Sequence, residues 1–200
     1  MKIIDGGVCA AKGFTANGIH CGIRKSRTKR DLSLIYSEKP ASVACVYTTN
    51  LVKGAPLSVT KANVADGKAQ AVICNSGNAN TCNADGIEVA NKMCEIAGKA
   101  LGIAPADVVV ASTGVIGQPL DVTPIANKID ELVQGLGDHS DLAAEGIMTT
   151  DTVKKDLAVS FTVGGVECKL GGIAKGSGMI HPNMATMLVF LTTVCAISSA

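Results

Sequence analysis

Aromatic residues are almost missing: the 200-residue chain has no tryptophan, two tyrosines and three phenylalanines, 2% in all. A face on which bases or sugar rings could stack has little to be built from, which counts against single-stranded nucleic-acid binding. A charge imbalance is missing too. Lys plus Arg number 18 and Asp plus Glu 17, a net charge of +1, so no strong field draws the chain to nucleic acid or to an anionic membrane. The one basic cluster, Arg24 to Arg30, reads as a solvated turn. No stretch approaches the ~18 consecutive apolar residues of a membrane span, and Met1-Lys2-Ile3-Ile4 before Asp5-Gly6-Gly7 does not make a secretion signal. Histidine is scarce: His20, His139 and His181 are scattered without a carboxylate or cysteine at partner spacing, which argues against a His-based triad or a metal site. Cysteine is not scarce, at eight, but no pair shows C-x-x-C spacing. Free thiols serving as small core residues in a reducing cytoplasm are the expectation.

What remains is a globular composition, 47% hydrophobic and 18% charged, long enough to bury roughly 70% of its unfolded surface. With no repeat and no linker, residues 1–200 read as one continuous domain. Strands are expected at Ser33 to Tyr36 and Ser42 to Tyr47 around a Lys39-Pro40 turn, at Ala71 to Cys74, and at Val108 to Ala111. Asp85 with Glu88 three residues on resembles a capping box, followed by Ile87, Ala90, Met93, Ala97 and Leu101 at helical spacing before Gly102. Thr123 as N-cap, Pro124, then Ile125, Ile129, Leu132 and Leu136 before Gly137 predict a second helix. Leu157 to Val163 and Val166 to Leu170 alternate on either side of Gly164-Gly165, a hairpin pattern. Met187 to Leu191 is a further strand-length run. Mixed order without regular βα alternation points to an α+β fold, a layered sandwich, rather than a doubly wound sheet.

The stretch from Gly171 to Thr186 concentrates glycine ahead of that last strand. A Walker phosphate loop does not fit, because Lys175 is followed by Gly176 rather than Ser or Thr. A plain turn is one reading. The other lies in Ala185-Thr186: cleavage between them would place Thr186 at a new N-terminus, where a free α-amine of pKa about 7.7–8.0 can serve its hydroxyl as base.

Lys175-Gly-Ser-Gly-Met-Ile-His-Pro-Asn-Met-Ala-Thr-Met-Leu188 resembles the self-cleavage motif of the ornithine acetyltransferase family, also called glutamate N-acetyltransferases. Further segments resemble that family in order: Gly6-Gly7-Val8 with Lys12-Gly13-Phe14, Val46-Tyr47-Thr48-Thr49-Asn50, Asn75-Ser-Gly-Asn-Ala-Asn80, Ala111-Ser-Thr-Gly-Val-Ile-Gly117 and Met148-Thr-Thr-Asp-Thr152. The resemblance implies self-cleavage at Ala185-Thr186 into an α portion, 1–185, and a β portion beginning at Thr186. It also implies transfer of acetyl from N-acetylornithine to glutamate through an acetyl-threonine ester. Thr186 is then the nucleophile, Thr113 and Gly114 the oxyanion-hole pair, and Thr149, Lys175 and Thr186 the substrate contacts. Asn75, Asn78 and Asn80 are read as turn formers. No cofactor and no metal is implied; whether acetyl-CoA is also a donor, as a co-substrate, stays open. The implied partner is the β chain of the same precursor in an α2β2 heterotetramer.

The sequence departs from that pattern in two places. Family members run to roughly twice this length and take a glutamate and C-terminal polar residues from beyond the cut, whereas only Thr186 to Ala200 follow it here. Val194 stands where the family usually has Asp. Two other readings therefore stay open: an N-terminal-nucleophile amidohydrolase or aminopeptidase with water as acceptor, and an inactive fragment that needs the missing β portion.

Overall fold

The computed structural model describes residues 1–26, 28–177 and 187–197. Two four-stranded sheets organise them. One is wholly antiparallel in the order β1 (Lys2–Ile4), β6 (Lys155–Val163), β7 (Val166–Lys175), β8 (Leu188–Thr193). The other runs β2 (Phe14–Ile19), β3 (Leu32–Ser42), β4 (Lys68–Asn75), β5 (Val108–Ser112), with β2, β3 and β4 antiparallel and β5 parallel to β4. Helices α1 (Ala55–Asn63), α2 (Gly86–Leu101), α3 (Thr123–Gln134) and α4 (Ser140–Ile147) complete a layered α+β architecture.

Strand alternation sends side chains of the second sheet into two cores. Leu32, Leu34, Ala71, Ile73, Val108 and Val110 face Ala90, Met93 and Ala97 of α2 and Ile125, Ile129 and Leu132 of α3. Their neighbours Ile35, Cys74 and Ala111 face Ala143, Ala144 and Ile147 of α4 and Ile173 of β7. α4 thus lies between the sheets, and its small residues allow that: a Cβ on Gly146 would come 2.1 Å from Ser33 Oγ, which donates to the Ala143 carbonyl at 2.8 Å.

The outer face of the first sheet is different. Leu157, Leu191, Val189 and Ile3 share one face by register and are all exposed. β8 ends the sheet, and among the described residues its second edge is unpaired.

Several expectations are met: β4, β5 and the β6–β7 hairpin form where the pattern put them, with Gly164 and Gly165 at φ +58° and +83° in the two-residue turn. Others need correction. Ser33 to Tyr36 and Ser42 to Tyr47 are not two strands around a Lys39-Pro40 turn; β3 runs through to Ser42, and a register shift between Tyr36 and Ala41 accommodates a proline that cannot donate to a ladder. Residues 43–50 form no strand. The Asp85 side chain makes no capping bond, and Ile87 is exposed because the buried stripe of α2 runs through Gly86, Ala90, Met93, Cys94 and Ala97. Thr123 is the first helical residue rather than the N-cap, which is Val122. Of the eight free cysteines, Cys21, Cys74, Cys94 and Cys168 are buried as expected, but Cys82 is exposed. No helix among the described residues is long and apolar enough to cross a membrane.

Candidate active site

The parallel pairing of β4 and β5 brings their carboxyl ends side by side, Asn75 opposite Ser112. Ligand sites in mixed α/β sheets favour such ends, where the chain leaves the ladder with backbone groups still to satisfy. The Asn75–Asn80 loop satisfies most of them internally. Asn75 Oδ1 accepts Gly77 N–H at 3.2 Å and Asn78 N–H at 3.0 Å, Asn75 Nδ2 donates to Ser112 Oγ at 2.7 Å, and Asn78 Oδ1 accepts Asn80 N–H at 2.7 Å. These are turn-forming bonds, as the Asn-rich pattern suggests.

The loop in turn holds the chain after β5. Asn75 O accepts Thr113 N–H at 3.0 Å and Gly77 O accepts Val115 N–H at 3.3 Å. Between those anchors, neither the Thr113 hydroxyl nor the Gly114 N–H donates to any described residue. Two adjacent donors are therefore left over on a rigid frame. Gly114 has φ +128°, and a Cβ there would meet Gly77 C at 2.5 Å, so glycine is required twice over.

Thr149 follows α4 by two residues. The link from it to the Asn75 loop is Arg24, in the cluster read as a solvated turn. Arg24 Nε and Nη2 donate to the Ser76 carbonyl at 2.9 and 2.8 Å, and Nη2 also donates to the Met148 carbonyl. Ser76 Oγ adds a bond to the Gly146 carbonyl at 2.5 Å. Arg24 is itself aimed by the fully buried Asp31, whose carboxylate accepts the N–H groups of Cys21 (2.6 Å), Gly22 (3.2 Å) and Arg24 (2.8 Å). Burial lowers the guanidinium's pKa and the Asp31 carboxylate opposes the shift; arginine remains charged at neutral pH. His20 Nδ1 also approaches Asp31, at 3.4 Å, so this histidine has a carboxylate neighbour that its spacing in sequence concealed. Arg24, Met148, Thr149 and Asp151 line a cavity of about 220 Å3. A larger, shallower depression of about 580 Å3 lies on the outer face of α2, against Asp85, Glu88 and Glu95, away from all of these residues.

Lys175 ends β7 and is only 2% exposed. Its ammonium donates to the Gly176 carbonyl at 2.8 Å. Burial lowers its pKa below the ordinary lysine value, and Asp151 opposes the shift. The buried Cys74 thiol, raised to about 12 by burial, feels both Lys175 and Arg24, so the end of β7 and the Arg24 bridge both lie near the end of β4. A continuous set of contacts thus runs from Thr113 and Gly114 through Asn75–Gly77, Arg24 and Met148 to Thr149, and on through Asp151 to Gly176. Ala185, Thr186 and His181 lie outside the described residues; Met187 is one residue before Leu188, which pairs with Lys175. Among the described residues no group of three His, Cys, Asp or Glu side chains is placed to hold a metal ion.

Comparison with known proteins agrees with the motifs. The chain is 50% identical over 197 residues to the arginine biosynthesis bifunctional protein ArgJ of Gloeobacter violaceus, which covers 97% of this chain and 48% of that protein. It is 46% identical over 202 residues to that of Caldanaerobacter subterraneus subsp. tengcongensis, covering 100% of this chain and 50% of that protein. The chain therefore spans about half the length of the curated relatives it matches. Among solved structures, argJ of Bacillus halodurans superposes with a TM-score of 0.84 at 42% identity, covering 93% of this chain and 97% of that one. Ornithine acetyltransferase of Mycobacterium tuberculosis, solved in complex with ornithine, gives 0.82 at 33% identity, covering 94% of this chain and 99% of that one. With the ArgJ family profile matching residues 15–200, nearly the whole sequence, the chain belongs to the ArgJ family.

Proposed function

We propose that this chain carries the acyl-transfer half-site of a glutamate N-acetyltransferase, moving acetyl from N-acetylornithine to glutamate. The observation that carries the reading is the pair of unengaged donors at Thr113 and Gly114, braced by the Asn75–Gly77 loop. A tetrahedral intermediate develops negative charge on its oxygen, and a preorganised hydroxyl and N–H are what such an oxygen needs. Thr186 supplies the nucleophile. Its hydroxyl first attacks the Ala185 carbonyl, the Ala185–Thr186 C–N bond breaks to give an ester and a free α-amine, and water then hydrolyses that ester, releasing the Ala185 carboxylate and restoring the hydroxyl. In turnover the same hydroxyl attacks the acetyl carbonyl of N-acetylornithine, the C–N bond breaks, and ornithine leaves with the proton the α-amine relays. The glutamate amine then attacks the acetyl-threonine ester and restores the hydroxyl. Thr149 and Lys175 hold the substrate; a buried ammonium suits a carboxylate.

The Mycobacterium neighbour's bound ornithine supports the substrate class. The β portion beginning at Thr186 completes the pocket, in an α2β2 assembly in the cytoplasm, with acetyl-CoA open as an additional donor. Intact mass spectrometry of the expressed chain tests the first step: a species ending at Ala185 is expected, and its absence in Thr186→Ala. Cleavage persisting in that variant removes Thr186 from the mechanism. With the β portion supplied, labelled glutamate should gain acetyl from N-acetylornithine; acetate released without glutamate acetylation would instead make the protein an amidohydrolase.

A further inference from the structure

Asp151 lies in the turn between α4 and β6, two residues beyond Thr149, with a side chain 3% exposed. Its donors come from three places. Oδ1 accepts the Lys155 ammonium at 2.7 Å and the Gly176 N–H at 2.9 Å, and Oδ2 accepts the Thr149 N–H at 3.4 Å. Gly176 is the residue whose carbonyl takes the Lys175 ammonium, so the carboxylate and that ammonium hold the two ends of one residue. A turn-capping aspartate would fix Thr149 alone. This one also reaches the end of β7, 25 positions away.

The charges around Lys175 give that geometry a consequence. A buried ammonium is costly unless an opposite charge lies near it. Among the described residues, three ionisable groups act on Lys175: Asp151, Lys155 and Cys74. Lys155, in the same turn, has the wrong sign, and its own ammonium is about half exposed. Cys74, on β4, stays a neutral thiol because burial raises it to about 12. Asp151 is the one anion of the three at neutral pH.

We propose that Asp151 is a positioning residue for acetyl transfer: one buried carboxylate ties the Thr149 turn to the end of β7 where Lys175 sits, so that both substrate contacts are set together. The proposal rests on the reading of Thr149 and Lys175 as substrate contacts. It adds the group through which they act as a unit.

NMR titration of the chain labelled with 13Cε-lysine and 15N tests it without any ligand. In the unsubstituted protein the Thr149 and Gly176 amides should shift with one common acid midpoint, that of the Asp151 carboxyl. In Asp151→Asn the Lys175 midpoint, assigned through Lys175→Arg, should fall, because the carboxylate charge that opposes the effect of burial is gone. Asp151→Glu, which keeps the charge, should restore it. A Lys175 midpoint unmoved in Asp151→Asn overturns the proposal, as do Thr149 and Gly176 amides that titrate apart. If Asp151→Asn does not fold, the amide titration of the unsubstituted protein decides alone. Lys175→Gln that leaves ornithine binding unchanged would sink the substrate-contact reading instead, and the ligand-free titrations tell the two failures apart.

Discussion

Replacing Gly114 by alanine tests whether the pair at Thr113 and Gly114 sits on the rigid frame described above. The added Cβ would lie 2.5 Å from Gly77 C, 2.6 Å from Gly77 O and 2.8 Å from Asn78 N. All three are backbone atoms, and none is free to retreat. Asn75 Oδ1 holds the N–H groups of both Gly77 and Asn78, Val115 donates to the Gly77 carbonyl, and Ala79 donates to the Val115 carbonyl at 2.8 Å. Holding a non-glycine residue at φ +128° costs about 1–3 kcal/mol. Forcing an extra methyl into packed backbone costs about 1–3 kcal/mol more. The sum, about 2–6 kcal/mol, is a large share of the roughly 5–15 kcal/mol that holds a domain folded. Urea unfolding followed by circular dichroism should show it as a midpoint lowered by about 1–3 M for a slope near 2 kcal/mol/M. Thr113→Ala is the control, because the Thr113 hydroxyl bonds to no described residue. Its midpoint should move by less than about 0.5 M, while acetyl transfer by the completed enzyme slows about 10²–10³-fold. An unchanged midpoint in Gly114→Ala would refute the close approach of the two loops. An unchanged kcat in Thr113→Ala, with chemistry rate-limiting, would leave Thr113 as a turn residue.

Arg24→Ala removes charged donors from two carbonyls and should destabilise by about 2 kcal/mol or more; Arg24→Lys should recover only part, since an ammonium cannot span both oxygens as a guanidinium does. A loss below about 0.5 kcal/mol in urea unfolding would mean the bridge is idle. Alkaline stability should fall above about pH 9. Burial raises Cys9 and Cys94 from 9.0 to about 11 and Cys21 and Cys74 to about 12. The unfolded chain then loses those protons first, and stability full below pH 9 is lost as pH rises through the folded values; a flat thermal midpoint from pH 8.5 to 11 would refute this. The exposed face of Leu157, Val189 and Leu191 beside the edge of β8 that no described strand pairs should make the isolated chain associate. Sedimentation should show species above monomer mass, reduced by Leu191→Lys, and a stable monomer with full acetyl-transfer activity would overturn both this and the need for a β portion.

Much of the fold could be read locally because its signals are local. Gly164-Gly165 between alternating runs can make little but a two-residue turn, and the buried stripes of α2 and α3 repeat within a few residues. The motifs that marked Thr113, Gly114, Thr149, Lys175 and Thr186 as candidates are likewise strings of neighbours. What escaped were elements whose stability comes from elsewhere in the chain. β2 carries Asn17 and Gly18, poor strand formers, because Asn17 Nδ2 donates to the Leu132 carbonyl and Gly18 lets α4 come so close that a Cβ would lie 2.0 Å from the Leu142 carbonyl oxygen. α4 itself is only eight residues long, with glycine at 146 and no side-chain cap, a weak helical signal outside the slot between two sheets. The same holds at the site. Arg24 was one member of a basic run until folding set it against carbonyls 52 and 124 positions away, and Asp151 was one letter of a motif until its carboxylate met Gly176. Composition and short-range pattern determine which residue types stand ready and which local turns and helices form. Which carboxylate neutralises which ammonium, and which donors are left unpaired, is decided only when distant segments share a buried volume too small and too dry to leave polar groups unmatched.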